Sequence, residues 1–266
     1  MALSNLNDFS IVELIGYIPA FIFSIFLCIR HGFGPNKGWI FLLIFSLIRI
    51  VGASLELATI SNPTSISLVT AAVTLSSIGL SPLLLTSLGL LYRVSKNINK
   101  ESPSLIRTMH IRLLRIPITV ALVLILSGSE SSASYLTKHG TYPIEPTTRI
   151  GVVLLIVVFV AVVFITAVFM AQRMHAEAGE RRLIYAMTAS IPSILIRLIY
   201  VVLIMFSNLA MFSVIHPSVV AIGCMAIMQE FIVVFIYIGV GLTLPLKVKK
   251  SPVEADGREE EMGAAQ

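Results

Sequence analysis

Seven long apolar runs divide the chain, and they restrict its fold more than any other feature. Each run is long enough for a helix that crosses a bilayer, which needs about 20 mainly apolar residues. The runs are Ile11–Ile29, Gly38–Ile60, Ile66–Tyr92, Leu113–Ser127, Ile150–Ala171, Leu183–Phe206 and Ser218–Leu244. Only 12% of the 266 residues are charged, about half the share of soluble domains. We therefore predict an all-α, polytopic bundle of seven transmembrane helices in the lipid bilayer, formed by residues 1–244.

The loops between the runs carry unequal charge, which predicts the orientation of the bundle. Fifteen of the 19 Lys and Arg residues lie after runs one, three and five and in the C-terminal tail, against two in the other loops. Basic residues favour the cytosol, so the N-terminus is predicted outside and the C-terminus in the cytosol. Residues 245–266 are predicted to be a disordered, charged cytosolic tail. The net charge of +5 then reflects orientation in the endoplasmic reticulum or plasma membrane and not nucleic-acid binding.

Two arginines and two glutamates lie inside the predicted helices. Arg49 and Arg197 lie near the middle of runs two and six, and Glu230 lies at a similar depth in run seven. A charge at the bilayer centre costs about 2.5–3.5 kcal/mol or more, so depth favours an Arg197–Glu230 pair joined by Arg49. Glu56 is about 10.5 Å beyond Arg49 in helix rise and is expected to lack a fixed partner. Glu13 lies close to the outer surface, where we expect water to solvate it.

The embedded charges have two interpretations, and the sequence leaves both open. They are buried ion pairs that fix helix packing, or they line a polar cavity that binds or protonates a ligand. In the second interpretation Glu56 and Glu230 are the candidate catalytic acids. Arg49 and Arg197 are then the candidate substrate-binding residues, which orient the acids or hold an anionic group. The two cysteines and five histidines show no metal-ligand spacing, so we predict no metal and no cofactor.

Prolines, glycines and the only tryptophan add local predictions. Pro82 and Pro192, inside runs three and six, should kink their helices. Run three also contains VTLSSIGLSPLLLTSLG, whose many small residues favour close helix packing. The stretch RHGFGPNKGW predicts a tight turn. Arg30, His31 and Lys37 should anchor a lipid headgroup there, and Trp39 should lie at the membrane interface.

A resemblance to a protein family covers most of the chain except the tail. It is carried by YIPAFIFSIFLCIRHGFGPNKGWIFLLIFSLIRIVGASLE, GERRLIYAMTASIPSILIRLIYVVL and MQEFIVVFIYIGVG. These stretches resemble fungal seven-helix integral membrane proteins of unknown function, whose genes often lie beside secondary-metabolite genes. The resemblance implies a fungal source and a biosynthetic context, and it supplies no mechanism.

Better-known membrane proteins differ from this chain at their defining residues. The last run has no lysine before Lys247 to hold retinal as microbial rhodopsins do, and LLYRVSK and FIYIGVG lack the motifs of rhodopsin-like receptors. The only aspartates, Asp8 and Asp256, lie outside the runs, which excludes the paired Asp-rich motifs of prenyltransferases. Fungal meroterpenoid cyclases are similar in size and use embedded carboxylates, but they have tryptophan beside the acid. Here Phe and Tyr would have to stabilise a carbocation.

Two functional hypotheses follow. The first is an enzyme of a fungal secondary-metabolite pathway, which acts in a cyclase-like manner on a lipophilic, terpenoid or prenylated intermediate with Glu56 or Glu230 as proton donor. The second is a transporter, lipid-handling protein or receptor without catalysis, similar in size and topology to the fungal stress-resistance seven-helix family. Both hypotheses involve a lipophilic small molecule as partner.

Overall fold

A computed structural model describes residues 2–33, 38–61, 65–101, 108–139, 143–172, 178–207 and 218–244, and these residues are almost entirely helical. The helices are α1 (Ala2–His31), α2 (Trp39–Ser61), α3 (Ile66–Ser77), α4 (Leu80–Glu101), α5 (Thr108–Leu113), α6 (Arg115–His139), α7 (Pro146–Ala171), α8 (Ala178–Phe206), α9 (Val219–Ile222) and α10 (Met228–Thr243). A π-helical segment, Gly223–Ile227, joins α9 to α10. The described ranges contain no strand.

Within the described residues, seven helical spans are long and apolar enough to cross a membrane. They are Asp8–His31, Trp39–Ser61, Thr70–Ile98, Thr108–Leu136, Pro146–Ala171, Gly179–Phe206 and Val219–Thr243. Each overlaps one predicted run, which confirms an all-α architecture of the integral, multi-pass membrane type. The predicted tail, 245–266, lies outside the described residues.

Apolar side chains cover both the interior and the outer surface of the bundle, as a lipid environment requires. In α7, for example, Leu155 and Val158 are buried while Val157 and Val160 are exposed. Buried and exposed positions therefore alternate at helical spacing although both faces are apolar. Packing, and not polarity, decides which face of such a helix points inward.

The third span is interrupted at Ile78 and Gly79, between α3 and α4. Pro82 lacks the amide that would bond to the Ile78 carbonyl four residues earlier. The Ser81 amide donates to that carbonyl instead, at 3.2 Å. The predicted distortion at Pro82 is confirmed, whereas α8 continues through Pro192.

Small residues let α4 pack closely against its neighbours, which confirms the prediction from its Ser, Thr and Gly content. A Cβ added to Gly89 would lie 2.7 Å from the backbone nitrogen of Gly38. Gly38 itself has φ +81°, a conformation that favours glycine. Two residues earlier, the Ser87 hydroxyl lies 2.7 Å from the Tyr237 hydroxyl of α10.

The ends of α1 and α10 are tied together at the end of the bundle where α1 finishes. Arg30 donates to the carbonyl oxygens of Leu242 and Leu244 at 2.9 and 3.3 Å. These are carbonyls that a helix C-terminus leaves without partners, so Arg30 caps the last helix where we predicted a headgroup anchor. His31 stacks on Trp39 at 5.6 Å. Trp39, the first residue of α2, is completely buried, so its ring packs inside the bundle, and its position at the membrane interface stays a prediction.

Candidate functional site

Glu230 is the centre of a buried charge cluster that joins four helices. Its side chain is 0% exposed, and its Oε1 accepts hydrogen bonds from Arg197 Nε at 2.8 Å and from Arg49 Nη2. The Tyr17 hydroxyl donates to Oε2 at 3.2 Å. These partners come from α8, α2 and α1. The predicted Arg197–Glu230 pair with Arg49 as a third member is confirmed, because the three residues meet at one depth.

Glu13 is a fourth charged member of this cluster, and the sequence analysis missed it. Its Oε1 lies 3.8 Å from Arg49 Nη1, and the residue is only 7% exposed. The prediction of a water-solvated Glu13 is wrong because α1 begins nine residues before the predicted run, which moves Glu13 well inside the helix. The spacing of Ser10, Glu13 and Tyr17 on one helical face was the available signal.

Glu56 lies apart from the other predicted site residues, towards the end of the bundle where α1 begins. It is half-buried, and the Ser10 side chain hydrogen-bonds to it. The prediction that Glu56 lacks a fixed partner is therefore wrong. Arg49 and Glu13 are close enough to interact with its charge. Glu56 thus extends the cluster towards the edge of the membrane-spanning region.

Aromatic rings surround the charged groups. The Arg49 guanidinium lies 5.7 Å from the centroid of Phe45, and the Arg197 guanidinium lies 5.4 Å from that of Tyr200. Such contacts stabilise a cation whose surroundings hold little water. Tyr17 packs edge-on against Phe45 at 5.6 Å and stacks on Phe231 at 4.6 Å. The rings orient the Tyr17 hydroxyl towards Glu230.

The break in the third span places Gly79 directly against the charge cluster. A Cβ added to this glycine would overlap Arg49 Nη2 and Glu230 Oε1. A side chain at this position would therefore have to displace the ion-paired groups, which favours glycine here. Pro82, three residues later, predicted a distortion of this span but not which side chains lie against Gly79.

We expect Gly79→Ala to lower the free energy of unfolding by about 1–3 kcal/mol, because the added methyl group must displace hydrogen-bonded side chains. Gly52→Ala is the matched control, since a Cβ there would lie 3.6 Å from Leu75 Cβ, an ordinary contact. The measurement is denaturant unfolding of the full chain in detergent micelles, followed by circular dichroism. Equal stabilities of the two variants would contradict the proximity of Gly79 to the cluster.

A second irregular helix lies beside the cluster. The π-helical segment Gly223–Ile227 ends three residues before Glu230. A π-bulge rotates the residues that follow it relative to a regular helix, and such bulges are frequent at functional sites. The central acid is therefore next to two irregular backbone segments, this one and the break at Gly79.

The cluster contains more acids than bases. Glu13, Glu56 and Glu230 supply three carboxylates, whereas Arg49 and Arg197 supply two guanidiniums. One proton or one small cation would balance the charges in a region where an unbalanced charge is costly. Among the described residues, no group of three His, Cys, Asp or Glu side chains is arranged to hold a metal ion. The excess of one carboxylate makes the cluster chemically suited to bind and release a proton.

Comparison with known proteins gives one match. The model of a family described as a domain of unknown function, DUF7702, matches residues 3–248. The chain belongs to this family. The matched region contains all seven candidate membrane spans of this chain and every member of the charge cluster. No curated protein and no solved structure matches the chain.

Proposed function

We propose that the protein is a proton-coupled transporter of a lipophilic small molecule. The observation that carries this proposal is the order of the three carboxylates. Glu56 is half-buried near the end of the bundle where α1 begins, Glu13 is 7% exposed, and Glu230 is fully buried. Carboxylates in series that lead from a membrane surface to the interior are typical of proton relays in pumps and transporters.

The irregular helices next to Glu230 support the same proposal. Transporters bind substrates and coupling ions near the membrane midplane, at interrupted helices that can rearrange. Here the third span breaks at Gly79 and the seventh contains the π-helical segment Gly223–Ile227. Glu230 is fully enclosed by donors from three helices. Protonating this acid weakens its attraction to Arg49 and Arg197 and so favours separation of the helices that carry them.

A second polar layer lies deeper in the bundle on the same face of α10. Tyr237 follows Glu230 by seven residues, which is about 10.5 Å of helix rise, and its hydroxyl contacts Ser87 and Ser190. Val233 and Val234 lie between the two layers and are buried. An apolar layer between two polar ones is the arrangement expected of a closed transport path.

We assign the substrate to the lipophilic metabolites, and we take a terpenoid or prenylated compound of a fungal secondary-metabolite pathway as the first class to test. This choice rests on the resemblance of the sequence. With the predicted orientation, the proton enters from the outer side at Glu56, in either the endoplasmic reticulum or the plasma membrane.

The second candidate function is a membrane enzyme that protonates a lipophilic intermediate. The rings of Tyr17, Phe45 and Phe231 favour it, because they lie next to the acids and such rings stabilise carbocations. In this case Glu56 is the better donor of the two candidate acids, because Glu230 is enclosed by three donors. Arg49 and Arg197 then hold Glu230 in place.

The test is deletion of the gene in the source organism, with metabolites measured separately in cells and medium. We expect one or more compounds of unchanged structure to shift in their distribution between cells and medium when the gene is deleted. The wild-type gene and a Glu130→Gln variant should restore the distribution, and Glu56→Gln should not. Glu130 is a matched control because it is an exposed glutamate in α6.

The outcomes separate the two candidates. If a precursor accumulates and its product disappears from both cells and medium, the protein is an enzyme and transport is excluded as its primary activity. A protonophore should abolish the effect of the wild-type gene on distribution if transport is coupled to protons. Full restoration by Glu56→Gln would refute the role of this acid in either function.

A further inference from the structure

A groove between α7 and α8 opens towards the surrounding lipid. Its volume is about 400 Å³, within the range of about 300–1,000 Å³ that is usual for small-molecule sites. Val163 and Ile191 form part of its walls, and Ala167 and Ala171 form an exposed rim. Among the described residues that line it, none is charged. The groove is therefore suited to an apolar molecule that enters from the bilayer.

The groove has no side-chain donor to offer to a ligand. Its lining contains two hydroxyl groups, and both donate within their own helices. Thr166 donates to the Val162 carbonyl at 2.7 Å, and Thr188 donates to the Ile184 carbonyl at 3.0 Å. The other lining side chains have no N–H or O–H group. A hydrogen bond between the groove and a ligand therefore requires the ligand to be the donor.

A backbone acceptor beside the groove lacks its regular donor. In an α-helix the Thr188 carbonyl pairs with the amide of residue 192, but Pro192 has no N–H. The helix α8 nevertheless continues through Pro192, which is exposed on the same face one turn after Thr188. A backbone carbonyl in lipid is costly unless it accepts a hydrogen bond. A hydroxyl group bound in the groove supplies the missing donor.

The depth of Thr188 restricts the kind of ligand. Thr188 lies inside the span that begins at Gly179, about 13.5 Å of helix rise from its start. Because the hydrocarbon core of a bilayer is about 30 Å thick, this acceptor lies near the middle of the membrane. A molecule whose hydroxyl stays at the level of the headgroups does not reach it. The ligand is therefore small and wholly immersed in the membrane.

We propose that the groove between α7 and α8 binds a small lipophilic alcohol of the isoprenoid type. Its apolar body lies against Val163, Ala167 and Ile191, and its hydroxyl donates to the Thr188 carbonyl oxygen. No member of the charge cluster lines the groove. The binding site does not require the proposed transport function, so each can fail without the other.

The test measures thermal unfolding of the full chain in detergent micelles by Trp39 fluorescence. Farnesol, farnesyl methyl ether and ergosterol are added in separate arms at matched concentrations. We expect farnesol to raise Tm by about 5 °C. The methyl ether has the same apolar body without the donor, so its shift should be less than half as large.

Three variants test the two contacts separately. Pro192→Ala should reduce the farnesol shift to that of the ether, because the new amide pairs with the Thr188 carbonyl. Ala167→Leu should abolish both shifts, because the larger side chain fills the groove. Ala189→Leu should keep both shifts, because this exposed alanine of α8 does not line the groove.

Each outcome decides for or against the site. Equal shifts with farnesol and its ether overturn the proposal, as does a farnesol shift that Pro192→Ala leaves unchanged. The absence of a shift with farnesol also overturns it, and a shift with ergosterol in that case identifies a sterol as the occupant. Pro192→Ala introduces a good helix former at an exposed position. If Ala167→Leu does not fold, Ala171→Leu, on the same exposed rim, replaces it.

Discussion

Replacing Glu230 by glutamine is expected to lower the free energy of unfolding by about 3–5 kcal/mol, which is the usual cost of breaking a buried ion pair from one side. The variant keeps the shape of the side chain but removes its charge. Arg197 then loses its 2.8 Å partner, and Arg49 keeps only the more distant Glu13, at 3.8 Å. Denaturant unfolding in micelles measures the difference. Glu130→Gln, the same change at an exposed position, should cost less than about 0.5 kcal/mol.

A double variant separates the ion pair from the rest of the cluster. Glu230→Met combined with Arg197→Met removes one acid and one base together, so Arg197 is not left without its partner and Arg49 keeps Glu13 at 3.8 Å. We expect this variant to be more stable than Glu230→Met alone by about 1–3 kcal/mol. If Glu230→Gln has the stability of the wild type, the cluster does not hold the bundle together.

Gly89→Ala is expected to lower the free energy of unfolding by about 3 kcal/mol, the largest loss among alanine substitutions of the described glycines. The added methyl group would meet the backbone of Gly38, which cannot change rotamer as a side chain can. The start of α2 would therefore have to move away from α4. Gly239→Ala is the control, since a Cβ there has no neighbour within 4 Å among the atoms described.

Comparing Gly89→Ala with Gly239→Ala separates the effect of packing on stability from the effect of helix propensity, which both variants share. Alanine stabilises a helix interior by about 0.5–1 kcal/mol relative to glycine, so Gly239→Ala should unfold at the same or a higher denaturant concentration. A Gly89→Ala variant as stable as Gly239→Ala would show that α2 and α4 can separate at no cost.

The confirmed sequence predictions rested on two properties: the hydropathy of each span and the depth of each charged residue within its span. A transmembrane span is recognised from its own residues because lipid requires a continuous apolar helix. Depth follows from counting residues along each span, and this placed Arg49, Arg197 and Glu230 together. Such predictions need no knowledge of which helices are neighbours.

The predictions that failed concern neighbours and helix ends. The burial of Trp39 was not predicted, because its ring contacts Gly241 of the last helix, which only the assembled bundle places there. Glu13 was predicted to be solvated by water because the polar residues at the start of α1 gave no sign that the helix begins at Ala2. The position of Gly79 against Arg49 depends on the rotation of the third span, which its apolar residues do not encode.

The sequence therefore predicted which charged residues form the candidate site but not how they are arranged. The sequence identified the embedded charges, because each is costly in lipid and stands out in an apolar run. It could not rank Glu56 and Glu230, since that ranking depends on enclosure. Glu230 has donors on three sides, whereas Glu56 lies beside Ser10 at the edge of the cluster.

Arg49 and Glu230 lie 181 positions apart in the sequence, which separates them in time during synthesis. At ~5–20 residues per second, Arg49 enters the membrane roughly 10–40 s before its partner in α10 exists. Glu13 precedes Arg49 in the chain and lies 3.8 Å from it in the finished bundle. Glu13 is therefore available to pair with Arg49 while the first two helices insert, whereas Glu230 can pair with it only after the last helix is made.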